Sequence, residues 1–363
     1  MLAPAVLALV WKRSFDAEIV DRLLIPGSLF VSTFRGITNI NTTDGATRWS
    51  YPLKEEELGA RLAVTTDRVF ATVDNGPLVA LDLKSGKRLF TLPHSGPATP
   101  LAAADGTLVY SPAPGKVSSV ALETRKANWT TSLPDEEILT VGPIPLQEGY
   151  FVGGKKGFVG ILSKKDGKPI WAGNMGGKVE GAVISAERVF AVTSNGYLVA
   201  LSRSTGTAVW IGDVGNSVVG TPVLLDERVV LSSPGGFAIS FGSELGPTLW
   251  RASLNRDQDY GISPALAQGD EVILMQRNRM LRVGATGNVE EVARFDQTAS
   301  RFAPARIGDD FVLFASHAAF RVRLKTATSG YNAGSWRATT SFSPLEAPSR
   351  VLSAMLPERL GRR

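Results

Sequence analysis

The 363-residue chain has no cysteine and only two histidines, His94 and His317. The absence of thiols excludes a disulfide framework, a thiolate metal site and a cysteine nucleophile. It says little about compartment. Two isolated histidines leave little material for a catalytic triad or an imidazole cage. Charge of one sign is also scarce: 39 basic residues face 34 acidic ones, a net +5, and the basic residues are scattered. A nucleic-acid surface would normally cluster them, so no nucleic-acid partner is expected. No apolar run approaches the roughly 20 residues that cross a bilayer, so no transmembrane segment is predicted. The opening Met1–Val10 is similar to part of an export-signal apolar region, without a basic leader or an obvious cleavage site. It reads better as a first strand, because the residues after it fit a repeat.

That repeat is carried by the 37 glycines and seven tryptophans. Turn glycines fall at Gly36, Gly76, Gly115, Gly157, Gly196 and Gly236, spaced 40, 39, 42, 39 and 40 residues apart. Each ends a short β-branched and aromatic run, such as Val189–Thr193. A second set, Gly45, Gly86, Gly167, Gly206 and Gly246, precedes Trp49, Phe90, Trp171, Trp210 and Trp250 by four residues each. Trp129 keeps the aromatic place in the unit where Arg125 replaces the glycine. A period of tens of residues decides a fold. Short alternating strands punctuated by Asn-Gly and Asp-Gly turns make antiparallel meanders, with positive φ expected at the glycines. A unit of this length holds four strands, and one such sheet cannot bury both faces alone. Two weaker copies, through Val272–Gln276 and Phe311–Phe314, bring the count to eight.

The predicted fold is all-β: an eight-bladed propeller of four-stranded antiparallel blades in a single domain, residues 1–342, followed by a tail, 343–363. The blades fall at about 16–52, 53–92, 93–132, 133–173, 174–212, 213–252, 253–294 and 295–336. Trp11 lies 38 residues before Trp49, so strand 8–15 matches the last strand of a unit whose beginning is missing. It is predicted to complete the eighth blade, with Trp11 rather than Trp336 at the packing position. In the tail, Leu352, Met355, Leu356 and Leu360 sit at helical spacing. They give either a short amphipathic segment that orders on a partner or a disordered end.

Segments such as Ala200–Trp210 (Ala-Leu-Ser-Arg-Ser-Thr-Gly-Thr-Ala-Val-Trp) and Ala80–Phe90 resemble the tryptophan-docking repeat of quinoprotein propellers. The resemblance spans about residues 8–336. Its large branch comprises alcohol dehydrogenases that hold pyrroloquinoline quinone and calcium, and typically carry a vicinal disulfide that a cysteine-free chain cannot form. Its small branch is typified by the outer-membrane assembly lipoprotein BamB, a non-catalytic envelope scaffold of about this length. Size and organisation favour the small branch, although the family's lipidated cysteine has no counterpart here. The resemblance implies a periplasmic or cell-envelope location, with a cytoplasmic one as the alternative, and a protein partner in an envelope or membrane complex. It implies no cofactor, no metal and no catalytic residue. An accessory or sensor subunit of a larger membrane complex is the alternative function, and a quinone-dependent dehydrogenase the third.

Little else in the sequence suggests chemistry. Asn255–Asp259 has acidic spacing, but Tyr260 and Leu266 stand where a calcium loop needs glycine and glutamate. Gly153–Gly157 lacks the following helix of a phosphate loop. Arg277, Arg279 and Arg282 form a basic hairpin that suits an anionic partner or peripheral membrane contact. With Leu352, Met355 and Leu356, they are the candidate partner-contact residues. The Trp set reads as structural packing.

Overall fold

The computed structural model describes residues 5–215, 218–254, 261–298 and 302–325. Trp336, Leu352, Met355, Leu356, Leu360 and the segment 255–260 lie outside them. The described residues form eight four-stranded blades, at 19–52, 60–92, 102–132, 139–174, 179–213, 219–253, 266–294 and 305–325, the last completed by the N-terminal strand. Blade 5 shows the pattern, with antiparallel strands Val179–Ile184, Arg188–Thr193, Tyr197–Ser202 and Ala208–Asp213 running from the axis outward. Its second strand is buried along nearly its whole length (Arg188 is half-buried), whereas its outermost strand alternates. That is what a sheet covered on both faces near the axis and open at the rim should show. One short 3₁₀ turn, Pro134–Glu136, interrupts the strands among the described residues.

The core is a series of interblade clusters rather than one central mass. One joins Trp171 of blade 4 to Val179, Val189, Val199 and Leu201 of blade 5. Another joins Phe190 and Trp210 of blade 5 to Leu231, Ile239 and Phe241 of blade 6. Each sheet twists, so neighbouring sheets meet face to face and bury the apolar rungs that neither could bury alone.

The N-terminal strand, Ala5–Ser14, begins three residues earlier than the sequence suggests and ends one earlier. It pairs antiparallel with Ala318–Lys325, from Leu7↔Leu324 to Ser14↔Ala318, with a bulge between Leu9 and Trp11. At its start Ala5 and Val6 pair in parallel with Ala293 and Arg294, which stitches blade 7 to blade 8. The Thr42 carbonyl of blade 1 accepts hydrogen bonds from both Trp11 Nε1 (2.9 Å) and Arg321 Nη1 (2.8 Å). Ring closure therefore rests on a strand, an indole and a guanidinium together.

Arg321 also pairs with Asp310, as does Arg323, each at 2.7 Å. Burial pushes the Asp310 carboxyl up, but hydrogen bonds and charge from Arg323 and Arg321 outweigh it and hold its pKa below the ordinary value. A carboxylate whose folded pKa is depressed stabilises the fold above its unfolded pKa, near 4, and loses that contribution as pH falls through the folded value. Asp310→Asn is expected to cost roughly 2–4 kcal/mol at neutral pH, because it leaves two guanidinium groups without their carboxylate. The variant should also lose part of the wild-type destabilisation below about pH 4. Urea melts from pH 2 to 7 would check both.

Two turns depart from expectation. Gly76 does not adopt positive φ; Asn75 does, at +56°. Gly76 is needed for space, since a Cβ there would stand 2.8 Å from Glu57 Oε1. Gly36 likewise lacks positive φ, and a Cβ on it would reach 2.7 Å from the Tyr51 carbonyl oxygen. Gly115, Gly157, Gly196 and Gly236 do take positive φ.

Candidate functional site

The aromatic residues of the outer strands form a docking system between blades. Each indole Nε1 donates to a carbonyl in the outer turn of the following blade: Trp49 to Leu83, Trp129 to Lys164, Trp171 to Arg203, Trp210 to Ser243 and Trp250 to Ala285, at 2.7–3.1 Å. Trp11 makes the equivalent bond to Thr42. The ring then lies flat on the glycine of that next turn. A Cβ on Gly45, Gly86, Gly167, Gly206, Gly246 or Gly287 would stand 2.3–2.9 Å from the indole, and all six glycines have φ between +69° and +83°. Both demands select glycine, one steric and one conformational. The sequence shows the glycine and the aromatic four residues apart within a unit. The contact instead runs from the aromatic of one unit to the glycine of the next, which the period alone does not reveal.

Two junctions among the described residues lack this pair. Between blades 7 and 8, backbone pairing by the N-terminal strand takes its place, beside the edge-to-face pair of Phe295 and Phe320. Between blades 2 and 3 the aromatic is Phe90 and the turn residue is Arg125. Arg125 adopts φ +59° despite its side chain, and its guanidinium lies 5.4 Å from the Phe90 ring centroid. Phenylalanine has no N–H to donate, and arginine leaves no flat seat for a ring. The outer half of this junction opens into a cleft of about 390 Å³, lined on blade 2 by Leu92 and Pro93 and on blade 3 by Tyr110, Lys116, Ser118, Val120, Arg125 and Thr130.

The rim of the propeller also carries apolar side chains. The residue before the docking aromatic is exposed and apolar in five blades: Val10, Leu89, Ile170, Val209 and Leu249, each 40–50% accessible. On a strand these alternate with the buried ring, so they point outward.

The basic hairpin is internally balanced. Arg279 pairs with Glu291 at 2.7 Å, and Arg282 pairs with Glu290 and, at 3.6 Å, with Glu271. Arg294 also reaches Glu291, whose pKa burial raises and the Arg294 and Arg279 hydrogen bonds lower, with a net downward shift. Arg277 sits in the turn at φ +51°. The hairpin therefore presents far less free positive charge than its sequence suggests.

Glu137 and His94 are held in structural bonds. Buried Glu137 accepts the backbone N–H groups of Ile138, Lys156 and Phe158 at 2.7–3.1 Å, anchoring the turn that contains Gly157. His94 Nδ1 lies 2.7 Å from the Gly76 carbonyl oxygen. His317 occupies the turn before Ala318–Lys325, its carbonyl accepting Phe15 N–H. Among the described residues no three His, Asp or Glu side chains converge as metal ligands, and no helix is long and apolar enough to cross a membrane.

The family model described as outer membrane protein assembly factor BamB matches residues 8–145 and 155–345. The chain belongs to that family. Among solved structures, BamB from Moraxella catarrhalis superposes with a TM-score of 0.70 at 17% identity, covering 90% of this chain and all of that one. The computationally designed Ika8 protein gives 0.72 at 14% identity, covering 89% of this chain and 100% of that one. A quinohemoprotein alcohol dehydrogenase from Comamonas testosteroni gives 0.65 at 12%, covering 90% of this chain and 78% of that one. At these identities the superpositions speak to fold alone. No curated protein matches the sequence. Membership of the BamB family is thus consistent with the docking geometry, which recurs at six junctions of the ring among the described residues.

Proposed function

We propose that this BamB-family chain is a non-catalytic protein-binding scaffold of the bacterial cell envelope, working in the periplasm in the assembly of outer-membrane proteins. The observation that carries this reading is the rim. Leu89, Ile170, Val209 and Leu249 place exposed apolar side chains at one register on the outer strands, while buried Glu137 and Asp310 and the His94 ring are committed to structural contacts. A surface of repeated apolar contacts on a rigid ring suits a protein partner better than a small substrate. The enzymatic reading draws on the dehydrogenase neighbour, which shares the fold.

The experiment that separates the two is a dye-linked oxidation assay. The purified chain is incubated with pyrroloquinoline quinone and calcium, then offered short alcohols or aldoses. No substrate-dependent dye reduction is expected. Turnover at rates above about 1 s⁻¹, ordinary for an enzyme, would overturn the scaffold reading.

A further inference from the structure

The cleft between blades 2 and 3 is where the docking rule is broken, and the breakage is coordinated across two blades. Phe90 replaces tryptophan on one side and Arg125 replaces glycine on the other. Ser118 stands where blade 2 has Val79 and blade 5 has Val199, both of which pack under a tryptophan. Three substitutions thus remove volume or a seat from one junction. The result is an opening of about 390 Å³, within the usual range of about 300–1,000 Å³ for ligand pockets.

Its chemistry is directional. Lys116, Ser118 and Val120 alternate along one strand and so share one face. Ser118 Oγ and Thr130 Oγ1 lie 2.7 Å apart and put a hydroxyl pair at mid-length. Leu92, Val120 and the Tyr110 ring supply apolar wall, and the Tyr110 hydroxyl is occupied by the Pro93 carbonyl at 3.0 Å. Lys116 lies at one end and Arg125 at the other. Among the described residues, neither pairs with a carboxylate, and no acidic side chain lines the cleft. Lys116 and Ala121, whose carbonyl accepts the Arg125 N–H, are five residues apart on the strand. At about 3.3 Å per residue the backbones bearing the two cations stand about 16 Å apart, and their long side chains can close on about 13 Å.

We propose that this cleft binds an extended acidic peptide segment of a partner protein, with carboxylates four residues apart flanking a central apolar side chain. A strand-like pentapeptide spans about 13 Å between its first and last residues, which matches the two cations. Its middle side chain meets the Leu92–Val120 wall. The peptide identity of the ligand rests on the scaffold reading above; the anionic, extended shape rests on the cleft alone.

The test uses the full chain and the peptide acetyl-Glu-Ala-Leu-Ala-Glu-amide, titrated calorimetrically at low salt, where charge pairing is least screened. Saturable binding with a Kd below about 1 mM is expected, weakened at least tenfold, about 1.4 kcal/mol, by Lys116→Gln. The double variant Phe90→Trp, Arg125→Gly rebuilds the docking pair and fills the cleft. It should abolish binding while melting at or above the wild-type temperature. Ser118→Val, which places there the residue that blades 2 and 5 carry, should weaken binding by narrowing the groove. Equal binding of acetyl-Lys-Ala-Leu-Ala-Lys-amide, or binding indifferent to Lys116→Gln and to the refilled cleft, would overturn the proposal. If the refilled variant still captures an envelope partner as well as wild type, the cleft assignment fails and the scaffold reading stands.

Discussion

Deleting residues 1–15 is expected to be the most damaging change short of truncating a blade. The deletion removes the outermost strand of blade 8, its antiparallel ladder from Leu7↔Leu324 to Ser14↔Ala318, and the parallel stitch to Ala293 and Arg294. It also removes Trp11, which is buried against Ile19, Leu29 and Ile40 of blade 1 and bonded to Thr42. Losing a buried tryptophan alone costs about 3–5 kcal/mol. The ladder and the newly exposed strand edge add to that, against a total stability of about 5–15 kcal/mol for a typical domain. The truncated chain should be insoluble, or melt at least about 10 °C lower with a broad transition. Circular dichroism melts and size-exclusion chromatography would check it. A truncated chain that melts like wild type would mean that another segment closes the ring.

The second large effect lies at the blade 5–6 junction. Trp210 packs at a tilt against Phe190 at 5.8 Å and stacks on Phe241 at 6.1 Å between ring centroids, and lies flat on Gly246. Trp210→Ala should cost about 3–5 kcal/mol by emptying that space and losing the bond to the Ser243 carbonyl. Gly246→Ala should cost roughly 2–4 kcal/mol, because its Cβ would meet the indole at 2.3 Å and φ is +73°. The two should not add. With the tryptophan gone, the clash disappears and the alanine at 246 retains only its backbone strain, about 1–2 kcal/mol. Additive costs in a double-mutant cycle would show that indole and glycine do not act as one unit.

Much of this architecture is written in the chain at a level that sequence periodicity can reach. The spacing of Gly196 from Gly236, and of Trp11 from Trp49, follows directly from repeating one four-stranded unit, so blade count and the closing strand are legible without coordinates. The partners of those residues are less legible, because they belong to the next unit. Phe90 and Arg125 are each visible as a departure within their own repeats, yet only the packing of blade 2 on blade 3 makes them one event. The same reason hides the neutralisation of Arg279 and Arg282. Their glutamates lie on flanking strands, and strand register brings Arg282 opposite Glu290. At residues 75–76 the local sequence names the turn correctly but not which residue takes the left-handed conformation. Asn75 tolerates it, and the crowding of Glu57 against position 76 fixes glycine there for a different reason.

A ring that holds a protein rather than turning over a substrate should keep its partner through purification. Affinity capture of the tagged full chain from detergent-solubilised envelope membranes tests it most directly. An outer-membrane assembly component should be recovered at a constant molar ratio through successive washes. Substituting the exposed rim residues Val209 and Leu249 by glutamate should lower that recovery, because a charge in place of a buried apolar contact costs several-fold in affinity. Recovery of the chain alone, with the rim variants indistinguishable from wild type, would contradict it.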